Sequence, residues 1–171
     1  MKIPRFLISL FLLLTLMHCG GNPHDGNPNN EFDFSLPDLK GKTHSLKDFS
    51  GEVVVLNFWA TWCPPCLEEA AKLNDLYSRY HDSGVHVIGI ALDKDSLDVV
   101  RPFVKKNNIT YTILRGDQET FAILSSGSSG KDFKGVPTTL LIDRKGKIRE
   151  RFDGSFELEQ LEERLRSLLA E

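Results

Sequence analysis

Two cysteines three positions apart, Cys63 and Cys66, bracket a Pro-Pro pair in the stretch LNFWATWCPPCLEE, residues 56–69. Thiols at this spacing can serve three purposes. They can supply two soft ligands to a zinc or copper(I) site, close a structural disulfide, or cycle between dithiol and disulfide while passing electrons. A bridge across so short a loop removes little entropy from the unfolded chain, so a purely structural disulfide is the weakest of the three. A metal site needs two further ligands, and His44, His81 and His86 stand in no recognisable ligand spacing around the pair.

The elements around the pair must position it. A continuous apolar, β-branched run over residues 52–58 predicts a strand buried on both faces directly before it. After Pro64 and Pro65 a helix is expected to about Tyr80, with Leu73, Leu76, Tyr77 and Tyr80 on one stripe. Residues 84–92 read as a second buried strand, which completes a right-handed βαβ unit with parallel pairing. Ahead of it, Phe32, Phe34 and Leu36 alternate before a Lys40-Gly41 turn and predict a small hairpin. Downstream, Val100, Phe103 and Val104 mark a helix with Ser96 at its N-cap, kinked at Pro102 or beginning there. A strand over 110–114 and a short helix over 118–124 follow, then a low-complexity loop, SSGSSGKDFKG, at 125–135. Residues 138–143 and 148–153 form a hairpin about the Arg144-Lys145-Gly146-Lys147 turn. The last helix carries Leu158, Leu161, Leu165 and Leu168, with Ser155 as its N-cap and Glu162–Arg166 as an i,i+4 pair.

The chain of 171 residues is 40% hydrophobic and 26% charged, which suits one domain with a core plus a short extra segment. The extra segment is N-terminal. Lys2 and Arg5 precede a 12-residue apolar run, Phe6 to Met17, which fits an export signal over residues 1–18 and is short for a membrane span. Without Lys2 and Arg5 the rest of the chain holds 19 basic and 24 acidic residues, near −5 in net charge. No Lys/Arg cluster follows one face, which argues against nucleic acid as a partner. LMHC, ending at Cys19, resembles the lipobox of bacterial lipoproteins, with His18 where Gly, Ala or Ser is usual. Lipidation of Cys19 accounts for an odd cysteine in an exported chain; the alternative is cleavage near Cys19-Gly20-Gly21 to release a soluble protein. Residues 19–31 then comprise the anchor cysteine and a Gly/Asn/Pro-rich tether reaching roughly 20 Å, and residues 32–171 the domain.

Within that domain, FSLPDLKGKTHSLKDFSGEVVVLNFWATWCPPC, GVHVIGIALD and GVPTTLLIDRKGKI are similar to the thioredoxin superfamily, and in particular to its extracytoplasmic TlpA/ResA-type thiol-disulfide oxidoreductases. The resemblance implies an α/β thioredoxin fold, a central mixed sheet flanked by helices, with the N-terminal β-hairpin as an extension. It places Cys63 exposed at the start of the first long helix and Cys66 behind it. A helix N-terminus carries roughly half a positive charge and stabilises a thiolate, so Cys63 is expected to be the nucleophile and Cys66 the resolving cysteine. Trp62 is expected to shield one side. The Val136–Pro137 bond is expected to be cis, with Val136 offering backbone hydrogen bonds to a substrate segment. Asn57 stands where cytosolic members carry a buried Asp that moves a proton for the resolving cysteine. The ResA-type branch is expected to supply a Glu after the next strand, where this chain has Lys94 between Asp93 and Asp95. Asp93 is therefore the candidate proton acceptor. Ala71 replaces a helix-kinking Pro of the family.

Proline has no N–H, so Pro64 and Pro65 cannot donate to the Cys63 sulfur, and no His lies between the cysteines. A thiolate stabilised only moderately, with a pKa nearer thioredoxin's roughly 7 than DsbA's roughly 3.5, favours reduction of substrates. The expected enzyme uses no cofactor beyond its own Cys63–Cys66 disulfide and no metal. Its expected partners are oxidised client proteins, such as apocytochrome c, a membrane electron donor and, through the lipid, the membrane itself; the chain is expected to be a monomer. Two alternatives come from other classes: a copper-binding or delivery protein using the CPPC thiols, and a peroxiredoxin-like thiol peroxidase. The latter uses Thr-x-x-Cys after a Pro, which Thr61 and Cys63 do not match.

Overall fold

The structure, a computed structural model, describes residues 34–94, 96–116, 120 and 134–171. The leader, Cys19, the tether, Phe32, the helix expected over 118–124 (Thr120 apart) and most of the 125–135 loop lie outside the described residues.

The alternation of apolar runs and amphipathic stretches becomes two sheets and three α-helices among the described residues. Strands β1 (Ser35–Pro37) and β2 (Thr43–Ser45) form the antiparallel N-terminal hairpin. Its turn is closed by Asp38, whose carboxylate accepts from the Lys40 and Lys42 N–H groups, and Gly41 supplies the positive φ. The main sheet contains β3 (Val53–Trp59), β4 (Val85–Ala91), β5 (Thr112–Arg115), β6 (Thr138–Ile142) and β7 (Ile148–Asp153), in the order β5-β4-β3-β6-β7. The β3, β4 and β5 strands are parallel; β6 runs against them, and β7, antiparallel to β6, runs with them again, so the sheet is mixed. The central strand β3 is buried at every residue, as its unbroken apolar run requires.

Helix α1 (Pro64–Tyr80) crosses between β3 and β4 and buries Cys66, Glu69, Ala70, Leu73 and Leu76 on the sheet. It is continuous through Ala71, where the related proline is absent. Helix α2 runs from Ser96 to Lys106 with Pro102 inside it, so the helix does not begin at that proline. The Ser96 side chain lies outside the description. Helix α3 (Leu158–Leu169) packs Leu161, Leu165 and Leu168 inward, and Glu162 meets Arg166 at 3.3 Å. Its N-cap is Glu157, not Ser155: the Asp153-Gly154 turn, with φ of 84° at the glycine, carries the chain two residues further before helical geometry begins.

Two apolar clusters lie on opposite faces of the sheet. One joins α1 and α3 to Val53, Val55, Trp59, Val85, Val87, Tyr111 and the two cysteines. The other packs the N-terminal Phe34, Leu36, Leu46 and Phe49 on Val54, Leu56, Phe58, Ile88 and Ile90. Among the described residues no helix is long and apolar enough to cross a membrane.

Candidate active site

In the antiparallel pairing of β3 with β6, Phe58 lies opposite Thr138. The end of β3 that leads to Cys63 and the start of β6 that follows Pro137 therefore share one end of the sheet. The parallel neighbour β4 also ends there and continues into Leu92 and Asp93. Three sequence-distant segments thus converge at one end of the sheet.

Cys63 and Cys66 form a disulfide, with Cα atoms 5.4 Å apart. Cys63 is the N-cap of α1, and Pro64 and Pro65 occupy its first positions, where a missing N–H costs no helical hydrogen bond. The first turn holds no acidic residue, so no carboxylate opposes the positive helix end at the Cys63 sulfur. The Cys66 N–H donates to the Cys63 carbonyl at 3.1 Å, so in the disulfide it is engaged there rather than at the sulfur. Cys63 is 5% exposed and Cys66 1%. Both are therefore buried, and the expected exposure of Cys63 is corrected: in the disulfide form its sulfur is bonded to Cys66 within the core cluster.

Trp62 is 68% exposed beside the disulfide and forms no part of the core; Trp59, at the end of β3, fills that role. The Val136–Pro137 peptide bond is cis, Pro137 is buried, and Val136 packs against the cluster that contains both cysteines. Asp93 is buried at the end of β4, where its carboxylate accepts the Thr61 N–H at 3.1 and 3.2 Å and the Thr61 hydroxyl at 2.6 Å. It thus holds the segment that leads into Cys63.

The buried acid aligned with Cys66 is a different residue. Glu69 follows Cys66 by three positions on α1, which puts the two side chains on one helix face. It is 1% exposed. Its Oε2 accepts from the Asn57 amide at 3.1 Å, and the same amide donates to the Thr139 hydroxyl at 2.9 Å. Its Oε1 is buried with no hydrogen-bond partner among the described residues. Burial pushes the carboxyl up to about 7, against the opposing pull of Asn57, Lys72 and the Phe156 backbone. The Tyr111 phenol, itself buried, is pushed above its ordinary value by desolvation and by the Glu69 charge. A carboxyl with this affinity can hold or release a proton near neutrality, as a group exchanging protons with a thiol must.

Sequence reasoning singled out Asn57 and Asp93 but missed Glu69. The signal was present: Glu69 falls on the same helical stripe as Cys66, Ala70, Leu73 and Leu76, and an acid on a buried stripe needs a reason. The histidines weighed as metal ligands are engaged separately, His44 with Asp38, His81 with the Tyr77 carbonyl and His86 with Glu52. Among the described residues no group of three or more His, Cys, Asp or Glu could hold a metal ion.

Residues 29–151 match the model of the AhpC/TSA family. The chain is similar to the thiol-disulfide oxidoreductase ResA of Bacillus thuringiensis subsp. konkukian, 40% identical over 139 residues that cover 80% of this chain and 75% of that protein. ResA of Geobacillus thermodenitrificans is 35% identical, over 80% of this chain and 74% of its own. Among solved structures, a putative thiol:disulfide interchange protein DsbE from Chlorobium tepidum superposes with a TM-score of 0.68 at 28% identity, covering 82% of this chain and 95% of that one. StoA from Bacillus subtilis superposes with a TM-score of 0.63 at 26% identity, covering 80% and 98%. With its Cys63–Cys66 pair on a thioredoxin-like fold, the chain belongs to the AhpC/TSA family and, within it, to the ResA-type thiol-disulfide oxidoreductases.

Proposed function

We propose that this oxidoreductase is an extracytoplasmic reductant of protein disulfides, held at the membrane by a lipid on Cys19. The observation that carries the chemistry is the Cys63–Cys66 pair at the N-terminus of α1 with Glu69 one turn below. In the reduced protein the Cys63 thiolate attacks one sulfur of a client disulfide. That bond breaks, a mixed disulfide forms, and the other client sulfur leaves and takes a proton from solvent. The Cys66 thiol then passes its proton to the Glu69 carboxylate and attacks the Cys63 sulfur. The mixed disulfide breaks, the second client sulfur leaves and takes a proton from solvent, Glu69 returns its proton to solvent, and the Cys63–Cys66 disulfide is restored. The client gains two electrons and two protons. Val136, next to the cis Pro137, offers backbone groups to the client segment, and exposed Trp62 flanks it.

The direction of flow rests on the Pro64-Pro65 dipeptide, which offers no N–H and no imidazole to the Cys63 thiolate. A reductant outside the cytosol must be recharged, so a membrane electron donor is its upstream partner. Oxidised envelope proteins, among them apocytochrome c with its paired haem-site cysteines, are its clients. The equilibrium reduction potential of Cys63/Cys66 in a dithiothreitol or glutathione buffer tests the direction. We expect a value below roughly −230 mV, towards the thioredoxin range; a value above roughly −180 mV makes the protein an oxidase or isomerase instead.

A further inference from the structure

Lys72 follows Glu69 by three positions on α1, so the two stand on the same side of the helix one turn apart. A lysine there would ordinarily extend into water. Instead Lys72 is half-buried. Its ammonium donates to the Phe156 carbonyl at 2.7 Å and lies 5.7 Å from the centre of the Phe156 ring. Phe156 is itself buried and packs on Phe152 at 5.8 Å between ring centres, so the anchor is set in the core cluster. The segment between β7 and α3 thereby fixes a positive charge where a free side chain would move.

The groups facing Glu69 come from several elements. Asn57 on β3 donates to it and is tied to Thr139 on β6. The Phe156 backbone lies against it from the segment before α3, and Tyr111 approaches from the segment before β5 as a neutral phenol. Cys66 precedes it on α1. Among the described residues, Lys72 is the charged side chain whose ammonium favours its carboxylate. The Asn57 amide and the Phe156 backbone stabilise the carboxylate as neutral donors, and the fixed ammonium adds a charge of opposite sign.

We propose that Lys72 is a positioning residue that holds a positive charge against the Glu69 carboxyl and so sets the pH at which Cys66 gives up its proton. The proposal rests on the reading that Glu69 takes that proton. Without Lys72, the Asn57 amide and the Phe156 backbone still oppose burial, but less is set against it, and the carboxyl stays protonated to higher pH, where it cannot accept. With Lys72 latched to Phe156, the carboxylate form is available near neutrality, and the attack of Cys66 on the mixed disulfide runs there.

Three substitutions separate the charge from the latch. Lys72→Gln keeps a donor for the Phe156 carbonyl without the charge, Lys72→Met removes both, and Lys72→Arg keeps both. The infrared carbonyl band of the protonated acid, assigned by its loss in Glu69→Gln, is followed against pH in the reduced protein. In parallel, the rate of mixed-disulfide resolution is measured by stopped flow with a disulfide-linked dicysteine peptide as probe. Lys72→Gln and Lys72→Met should move both midpoints upward by about one pH unit, and Lys72→Arg should restore them. If the band titrates in Lys72→Gln and Lys72→Met as in the unsubstituted protein, the proposal is overturned while the role of Glu69 stands. If Glu69→Gln leaves the pH profile of resolution unchanged, the role of Glu69 falls and the proposal falls with it, whatever the band does.

Discussion

The two faces of the central sheet are built from the same strands and behave differently. Along β3, Val54, Leu56 and Phe58 point to one face, and Val53, Val55, Asn57 and Trp59 to the other. The first face meets the apolar Phe34, Leu36, Leu46 and Phe49 of the N-terminal segment. The second meets α1 and carries the linked Thr139, Asn57 and Glu69 beneath the cysteines. An apolar face supplies stability that does not depend on pH. A polar layer in the other face sacrifices some of that stability for a group that titrates where thiol chemistry runs. The strand at the centre of the sheet serves both because its side chains alternate.

Three substitutions break or sharpen this contrast. Phe58→Ala on the apolar face should cost about 4 kcal/mol through the cavity it leaves, read as a lowered urea midpoint that shifts equally at pH 5 and pH 8. A cost that varied with pH would show that the apolar face is not independent of the polar one. Glu69→Gln should do the reverse. The Glu69 carboxyl titrates at about 7 in the fold against an ordinary 4.5. Between those values the unfolded chain ionises while the folded one stays protonated, so stability falls as pH rises through this window and is flat above it. Glu69→Gln removes that loss. Its stability relative to the parent should rise by on the order of 3 kcal/mol between pH 4 and pH 8, and resolution of mixed disulfides should slow about 100-fold. Equal denaturation curves at both pH values would place Glu69 in contact with water. The smallest effect belongs to Gly89 on β4, opposite Asn57 in the parallel ladder. A Cβ there would lie 2.8 Å from Ile113 Cδ1, 2.9 Å from Trp59 Nε1 and 3.1 Å from Tyr111 Cε2. Gly89→Ala should therefore cost about 1.5 kcal/mol and alter the Trp59 near-ultraviolet signal. An unchanged thermal midpoint would mean that these rings yield freely.

Much of this architecture was legible in order of chain. The β-branched run before Cys63, the Pro64-Pro65 helix start and the leucine stripe of α3 are local patterns, and local patterns identify elements. What escaped was long-range. Asn57 and Thr139 meet across 82 positions only because β3 pairs antiparallel with β6, and no spacing in the chain encodes that pairing. Glu69 escaped for another reason. A polar residue on an amphipathic helix is ordinarily read as solvent-facing, and here the stripe it shares with Cys66, Ala70, Leu73 and Leu76 was the signal passed over. Asp93 drew attention by lying beside Lys94 and Asp95, yet its position is explained by the hydrogen bonds it accepts from Thr61. The cap of α3 moved from Ser155 to Glu157 because the Gly154 turn, not the hydroxyl, decides where the helix begins.

The clamp of Asp93 on Thr61 has a consequence for speed. It fastens the segment before Cys63 to the neighbouring strand, while α1 fastens the segment after it, so the attacking sulfur is held from both sides. The conformational entropy lost in ordering that sulfur is then incurred once, on folding, and not again at each encounter with a client.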